Sequence, residues 1–510
     1  MKYYLCEKFL TVKYKRLSKV LSFIGLIPVV FVIATTSCRK DEIVTDPSYS
    51  LSFSTDTIIF DTVFSTVGST TGILKVYNNN DGRINISKIY LAGGQQSQYK
   101  INIDGNPVSS IENIELEAND SLYIFVKVTV DPTNQNSPMI VTDSVIFETN
   151  GNIQDVDLVA WGQDAHYYVG YLHNPESSLK YIIIAGENES VTWEDDKPYV
   201  LYGWGVVDSL GTLTIGPGVD IHFHQNSGLW VYSGGAIQVN GLKDSLVVFQ
   251  GDRLEQEYDD LPGQWNGIVI NESDVVNEFN YAVVKNAFVG LQASPQNETT
   301  WANTLVLKNV IVENMTLFGL YSYAYQVVAV NSIFSNCATY TVCLVGGIYD
   351  FRQCTMADYW SESVRINPSV RVGNQISFTT PDGVITYVSP LVNAYFGNCI
   401  IYGALSEELE TDGVEDTGYD YNFKYDNCLI RTELDVSDPE KYLNCLKNKN
   451  PLFVDYYTND YHLDTLSPAI DAGNIEIIET SAVDISNDYD GNSRLSDDGP
   501  DLGAYEFIPE

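Results

Sequence analysis

Between Phe279 and Trp360 short apolar runs alternate with lone amides at a fixed interval. Asn309-Val-Ile-Val-Glu-Asn314 recurs as Asn331-Ser-Ile-Phe-Ser-Asn336, 22 residues later, and the Asn331 position recurs as Gln353 after another 22. An offset of 29 relates Asn280-Tyr-Ala-Val-Val, followed by Gly290-Leu291, to Asn309-Val-Ile-Val, followed by Gly319-Leu320. Such periods mark a solenoid whose units bury a shared core. A leucine-rich repeat needs a Leu framework and a helical return. Here the apolar positions are Val, Ile, Phe and Tyr in strand-length runs without a 3.6-residue period, so the pattern predicts a parallel β-helix. Equivalent residues of successive coils then stack about 4.8 Å apart. Asn336-Cys337, Gln353-Cys354, Asn398-Cys399 and Asn427-Cys428 read as one such ladder, its amides satisfying backbone groups of neighbouring coils.

Upstream the pattern changes to plain alternation. Strands are predicted at Thr57–Phe64, Gly72–Tyr77, Ile84–Leu91, Tyr99–Ile103, Leu122–Val130 and Asp143–Phe147, divided by turns bearing Asn, Gly and Pro. That spacing fits a β-sandwich over 51–165. Residues 166–200, with His166, His173 and Trp193, read as a transition or cap in which those side chains pack. The solenoid spans 201–470, where Ile215 to Ile237 repeats the 22-residue step. His222 and His224 alternate with Ile221 and Phe223 and read as one solvent-facing pair. Insertions at 252–261, about 361–390 and 405–421 are expected to gather on one face and carry binding.

Composition narrows the partners. The chain holds 28 Lys and Arg against 67 Asp and Glu, net −39. That excess repels nucleic acid and excludes it as a partner. The first 37 residues carry six basic side chains and one acidic one, leaving −44 for the remainder. Lys13, Lys15, Arg16 and Lys19 precede the apolar run from Val20 to Ala34, too short to span a bilayer comfortably. Six cysteines lie at 337, 343, 354, 399, 428 and 445 without a CxxC pair, and read as buried small apolar residues.

Five stretches resemble known families or signals. Ala34-Thr-Thr-Ser-Cys38 is similar to a bacterial lipoprotein signal, with Thr35 where Leu is usual. The resemblance implies a signal peptide at 1–37, lipidation of Cys38 and a linker over 38–50. Arg39-Lys40-Asp41-Glu42 resembles the signal that places lipoproteins of Bacteroidota on the outer face of the outer membrane, anchored through lipid and facing the exterior. Leu74-Lys-Val-Tyr-Asn-Asn-Asn, Leu116-Glu-Ala-Asn-Asp-Ser-Leu-Tyr-Ile and Val128-Thr-Val-Asp-Pro resemble a Hydin-like immunoglobulin-like domain, a spacer or docking module. Leu213-Thr-Ile-Gly-Pro-Gly-Val and Gln264-Trp-Asn-Gly-Ile look like the opening coils of right-handed parallel β-helix proteins of the pectin-lyase-like superfamily. Pro451-Leu-Phe-Val-Asp, Ser467-Pro-Ala-Ile-Asp-Ala-Gly, Asp488-Tyr-Asp-Gly-Asn and Pro500-Asp-Leu-Gly-Ala-Tyr-Glu-Phe look like the closing segment, 471–510, of Bacteroidota β-helix surface proteins. The expected fold is therefore all-β: an N-terminal immunoglobulin-like β-sandwich followed by a right-handed parallel β-helix solenoid.

The superfamily includes polysaccharide lyases and glycoside hydrolases. A lyase needs a basic residue, and Arg365 and Arg371 are the nearest to that role; a hydrolase needs two carboxylates, and Asp259-Asp260 matches no signature. No residue is assigned a catalytic role. The expected function is a non-catalytic surface scaffold for glycan or protein ligands, with Trp301, Tyr321, Tyr323, Tyr359 and Trp360 as the binding aromatics. No cofactor is expected. Asp488, Asp490 and Asn492 around Gly491 offer hard oxygens for Ca²⁺, but the loop lacks the downstream Glu and reads first as an Asx-rich turn.

Overall fold

A computed structural model describes residues 42–65, 68–130, 139–173, 179–296, 304–380, 383–414 and 418–509. Cys38 and Trp301 lie outside the described residues. The chain forms two compact units, one of residues up to Ile59, Thr70–Val128 and Thr142–Val159, the other of Phe60–Ser69, Thr129–Val141 and Ala160 onward.

Two five-stranded sheets build the first unit. One runs Ser52–Phe53, Gly72–Asn78, Asp120–Val128, Tyr99–Ile103, Asn106–Pro107, and the other Thr57–Phe64, Asn152–Gln163, Met139–Thr149, Ile84–Leu91, Ser110–Leu116. Alternation sets the faces: Leu122, Ile124, Val126 and Val128 are buried while Tyr123 and Phe125 between them are exposed. The rings of Phe53 and Phe147, one from each sheet, approach to 4.8 Å, so the two buried faces meet across one core. All six predicted strands are present. Ser110–Leu116 escaped notice because most of its side chains face solvent.

Parallel pairing defines the second unit. A coil contributes three short strands where its corners break the ladder, whereas Asn277–Lys285 and Thr304–Met315 each run unbroken over two faces. Phe318–Tyr323, Gln326–Val330 and Ile333–Cys337 are followed by Tyr340–Val345, Gly347–Arg352 and Thr355–Asp358. Phe318 lies opposite Tyr340, Gln326 opposite Ile348, and Ile333 opposite Thr355. The 22-residue repeat is thus one turn of the solenoid. The faces are named here by the last-mentioned coil: the third face holds Tyr340–Val345, the second Gly347–Arg352 and the first Thr355–Asp358. Inside, Phe351, Phe396, Tyr425 and Tyr442 stack in succession at 5.1, 4.8 and 5.5 Å, close to the inter-strand spacing.

Several expectations change here. Leu213 faces Ile237 and Ile215 faces Val239, so the early coil is 24 residues and the Ile215–Ile237 interval is not a register step. Residues 166–200 already contain rungs, since His166–Val169 pairs in parallel with Tyr199–Tyr202. The amides form two ladders rather than one. Asn309, Asn331, Gln353, Asn398, Asn427 and Asn444 turn the corner from second to first face at φ 49–54°, and Asn286, Asn314 and Asn336 turn the next corner at φ 48–65°. Both corners require left-handed backbone, which Asn adopts more readily than other residues bearing a Cβ. Cys354, Cys399, Cys428 and Cys445 follow the first ladder into the core, whereas Cys337 belongs to the second.

The C-terminal segment does not simply end the solenoid. After Leu446–Lys447 the chain turns back along the first face. Phe453, Tyr461, Leu463, Ala469, Tyr489, Leu502 and Tyr505 cover the outward-pointing Ile333, Ala357, Ile400 and Leu429 in a second core. The corner amides serve this segment. Gln353 donates to the Asp501 carbonyl at 2.9 Å, and Asn398 exchanges two hydrogen bonds with the Asn474 backbone at 2.8 and 3.0 Å. From coil to coil, Asn331 donates to Asn309 (3.3 Å) and Asn309 to Asn280 (3.2 Å), and Asn336 Oδ1 accepts from Tyr359 N at 3.2 Å. Among the described residues no helix is long and apolar enough to cross a membrane.

Candidate functional site

Strand register builds a column of outward-pointing side chains along the third face. In order these are Val206, Trp230, Val269, Gln292, Tyr321, Cys343, Arg371 and Glu410. The column carries Trp230 near its N-terminal end and the ion pair of Arg371 with Glu410 at its far end.

The aromatic end is concave. Tyr181, Trp204, Trp230 and Tyr232, with His173, Leu179, Ile183, Val206 and Asp208, line a cavity of about 300 Å³. Gly228, on the strand beside Trp204, makes room for the indole: a Cβ there would meet its ring at 2.8 Å. Trp230 stands edge-on to both neighbours, 6.4 Å from Trp204 and 5.5 Å from Tyr232. Its Nε1 donates to Asn271 Oδ1 at 2.6 Å, and Asn271 Nδ2 donates to the Ser294 carbonyl at 2.8 Å. That chain fixes the ring. An apolar, aromatic wall with a few placed polar groups is the usual form of a small-ligand site. The sequence signal was Trp204-Gly205 one coil before Gly228-Leu-Trp230, which reads as ordinary strand until register shows that both tryptophans face outward.

The predicted binding aromatics divide between two places. Tyr321 packs at 5.4 Å on Phe318, and Tyr323 meets Tyr387 of the Gln375–Val388 hairpin at 6.1 Å. With Tyr340 and Ile376 they form a small apolar cluster, and burial pushes the Tyr321 hydroxyl up. Tyr359 and Trp360 instead meet the returning C-terminal segment. Tyr359 stacks on Tyr456 at 4.1 Å, and these residues with Tyr457, Asp260 and Glu362 line a second cavity of about 330 Å³. No common platform unites the set.

The basic residues nearest to lyase chemistry are engaged elsewhere. Arg365 is buried and bidentate to Glu408 at 2.6 and 2.7 Å, with Asp358 at 3.5 Å. Burial pushes the Asp358 carboxyl up to about 7 against the pull of Arg365. Arg371 is held by Glu410 at 3.1 Å and Asp412 at 2.7 Å. The backbone carbonyl of Asp259 accepts from Asn286 at 2.8 Å.

His222 corrects another expectation. It is 3% exposed, bonded through Nδ1 to the Gly251 carbonyl at 2.9 Å, and covered by the Phe64 ring at 4.7 Å. Burial lowers its pKa to about 4. His224 is bonded to Asp252 at 2.7 Å. The Asp488 turn is closed internally. Its Oδ1 accepts from Asn492 N at 2.6 Å and its Oδ2 from Glu506 N at 2.8 Å. Asp490 bonds His462 at 2.8 Å. Among the described residues no three His, Cys, Asp or Glu side chains gather to hold a metal ion.

Residues 186–299 match the family described as the pectate-lyase like beta helix domain. No curated protein matches. Solved structures align only over short stretches. A family 123 glycoside hydrolase from Clostridium perfringens aligns at 9% identity over 24% of this chain and 30% of its own, TM-score 0.17. A PapD-like domain of human CEP192 aligns at 11% identity over 24% and 91%, TM-score 0.16. A protein of unknown function from Porphyromonas gingivalis aligns at 12% identity over 27% and 58%, TM-score 0.16. Alignments this weak carry no argument about fold or function. The family match and the coil register agree on one point: residues 186–299, which include Trp204, Trp230 and Tyr232, carry a pectate-lyase-like β-helix domain.

Proposed function

We propose that this protein is a lipid-anchored surface protein whose right-handed parallel β-helix binds glycan in the groove of Trp204, Trp230, Tyr232 and Tyr181. The observation that carries the reading is the groove itself. Two indoles and two phenols line one concavity beside Asp208, a surface on which sugar rings stack by their apolar faces while hydroxyls reach the carboxylate. Handedness follows the strong rule for parallel crossovers.

Binding without catalysis is supported by the state of the basic residues, since Arg365 and Arg371 are each held by carboxylates. The first unit serves as an immunoglobulin-like spacer, a reading that its two five-stranded sheets support. Anchorage rests on the sequence around Cys38: acylation there attaches the protein to the outer membrane, facing outward. Two or more acyl chains hold stably without a spanning helix.

The test is retention of the full chain on a polysaccharide array, with release of unsaturated or reducing ends scored in parallel. Retention without product, weakened in Trp230→Ala, is the expected result. Product formation overturns the non-catalytic reading. For the anchor, Cys38→Ser is expected to move the protein from the membrane to the soluble fraction; persistence in the membrane overturns lipidation at that residue.

A further inference from the structure

Resting on the glycan-binding reading, we infer that the groove takes an uncharged polysaccharide and excludes uronate-containing or sulfated chains. Among the described residues that line it, the wall has no lysine or arginine, and its acidic member is Asp208. Recognition of a polyanion needs a cation to offset the desolvation of each carboxylate or sulfate. The arginine in the groove's own column, Arg371, lies at the far end of the face, held between Glu410 and Asp412.

Charge at longer range acts in the same direction. A chain of net −39 repels a polyanion over a Debye length of about 8 Å at physiological salt. A neutral chain meets none of this repulsion. Trp230, fixed edge-on between Trp204 and Tyr232, gives the groove ring surfaces in more than one orientation. Stacking on them needs no charge and does not weaken as salt is added.

The deciding experiment is affinity electrophoresis of the full chain. Gels contain mixed-linkage β-glucan, xylan or mannan on one side, and polygalacturonate, alginate or chondroitin sulfate on the other, at low and high salt. The expected result is retention by at least one neutral polymer, unchanged by salt and weakened about two- to tenfold in Trp230→Ala, the loss of one aromatic stack. Tyr232→Ala provides the same readout if the Trp230 variant fails to fold. Polyanion gels are expected to retain nothing until Asp208→Arg supplies a cation, and that new retention falls with salt. Polyanion retention by the unaltered chain, lost in Trp230→Ala, overturns the uncharged class but keeps the groove. Retention indifferent to both aromatic substitutions, or none on any gel, overturns the groove reading itself.

Discussion

At Asn398 one side chain performs two tasks. Its backbone turns the corner at φ 51°, and its amide accepts from Asn474 N at 2.8 Å and donates to Asn474 O at 3.0 Å. Replacement by glycine removes only the second task; alanine removes both. Asn398→Ala is therefore expected to destabilise more than Asn398→Gly, by about 1–2 kcal/mol, the left-handed penalty of a residue with a Cβ. Urea unfolding of the two variants checks the order, and equal losses would show that the corner backbone contributes nothing. Part of the amide ladder was legible in the sequence, because Asn309, Asn331 and Gln353 recur every 22 residues; its separation from the corner of Asn336 was not. Nor was its partner, since Asn398 and Asn474 are 76 residues apart. The same distance hid the state of Arg365, which meets Glu408 43 positions away.

At the level of elements, the returning C-terminal segment makes the first face a buried layer. Arg494 is its central tie. Fully buried, it pairs with Glu506, donates to Asn331 Oδ1 at 3.0 Å and to the Ala504 carbonyl at 3.0 Å. Burial lowers the Arg494 pKa and raises that of Glu506 to about 7. Arg494→Met leaves a buried carboxyl without its cation, and the expected loss is about 3–5 kcal/mol. The double variant Arg494→Met/Glu506→Leu is expected to recover much of it, because an apolar pair of similar volume carries no desolvation penalty. Denaturation of both variants measures the coupling. Recovery confined to zero would place the loss in packing instead. The motifs of this segment were visible in the sequence, but its course along the first face was not: Ile333, Ile400 and Leu429 alternate like any solenoid residue, and nothing local says what covers them.

For the whole molecule, two histidines of the second unit set opposite pH limits. His222 is neutral in the fold, with a pKa lowered from 6.5 to about 4. Below about 6.5 the unfolded chain takes a proton that the folded one refuses, so stability falls as pH drops toward 4. His462 is bonded to Asp490 at 2.8 Å and Asp460 at 2.6 Å, and its pKa is raised to about 9. Its contribution is complete below about 6.5 and is lost as pH rises through 9. Melting temperature against pH is expected to decline on both sides of neutrality, and His462→Gln to flatten the alkaline side alone. An unchanged alkaline limb in that variant would remove His462 from the account.

What the sequence determined by itself is whatever a residue and its near neighbours decide: the alternation that makes sheets, the interval that makes coils, and the amides that tolerate a left-handed corner. In a solenoid each coil meets only the next, so the 22-residue interval specifies register where it recurs, between the coils of Phe318–Cys337 and Tyr340–Asp358. Tertiary structure alone decided the rest. It set Trp204 and Trp230 side by side on one outward face, divided Tyr321 from Tyr359, buried His222 beneath Phe64 and laid the C-terminal segment over the first face. The physical reason is shared by all four. A side chain's partner across a coil, an insertion or a returning segment lies tens to hundreds of positions away, and such contacts leave no periodic trace in the chain.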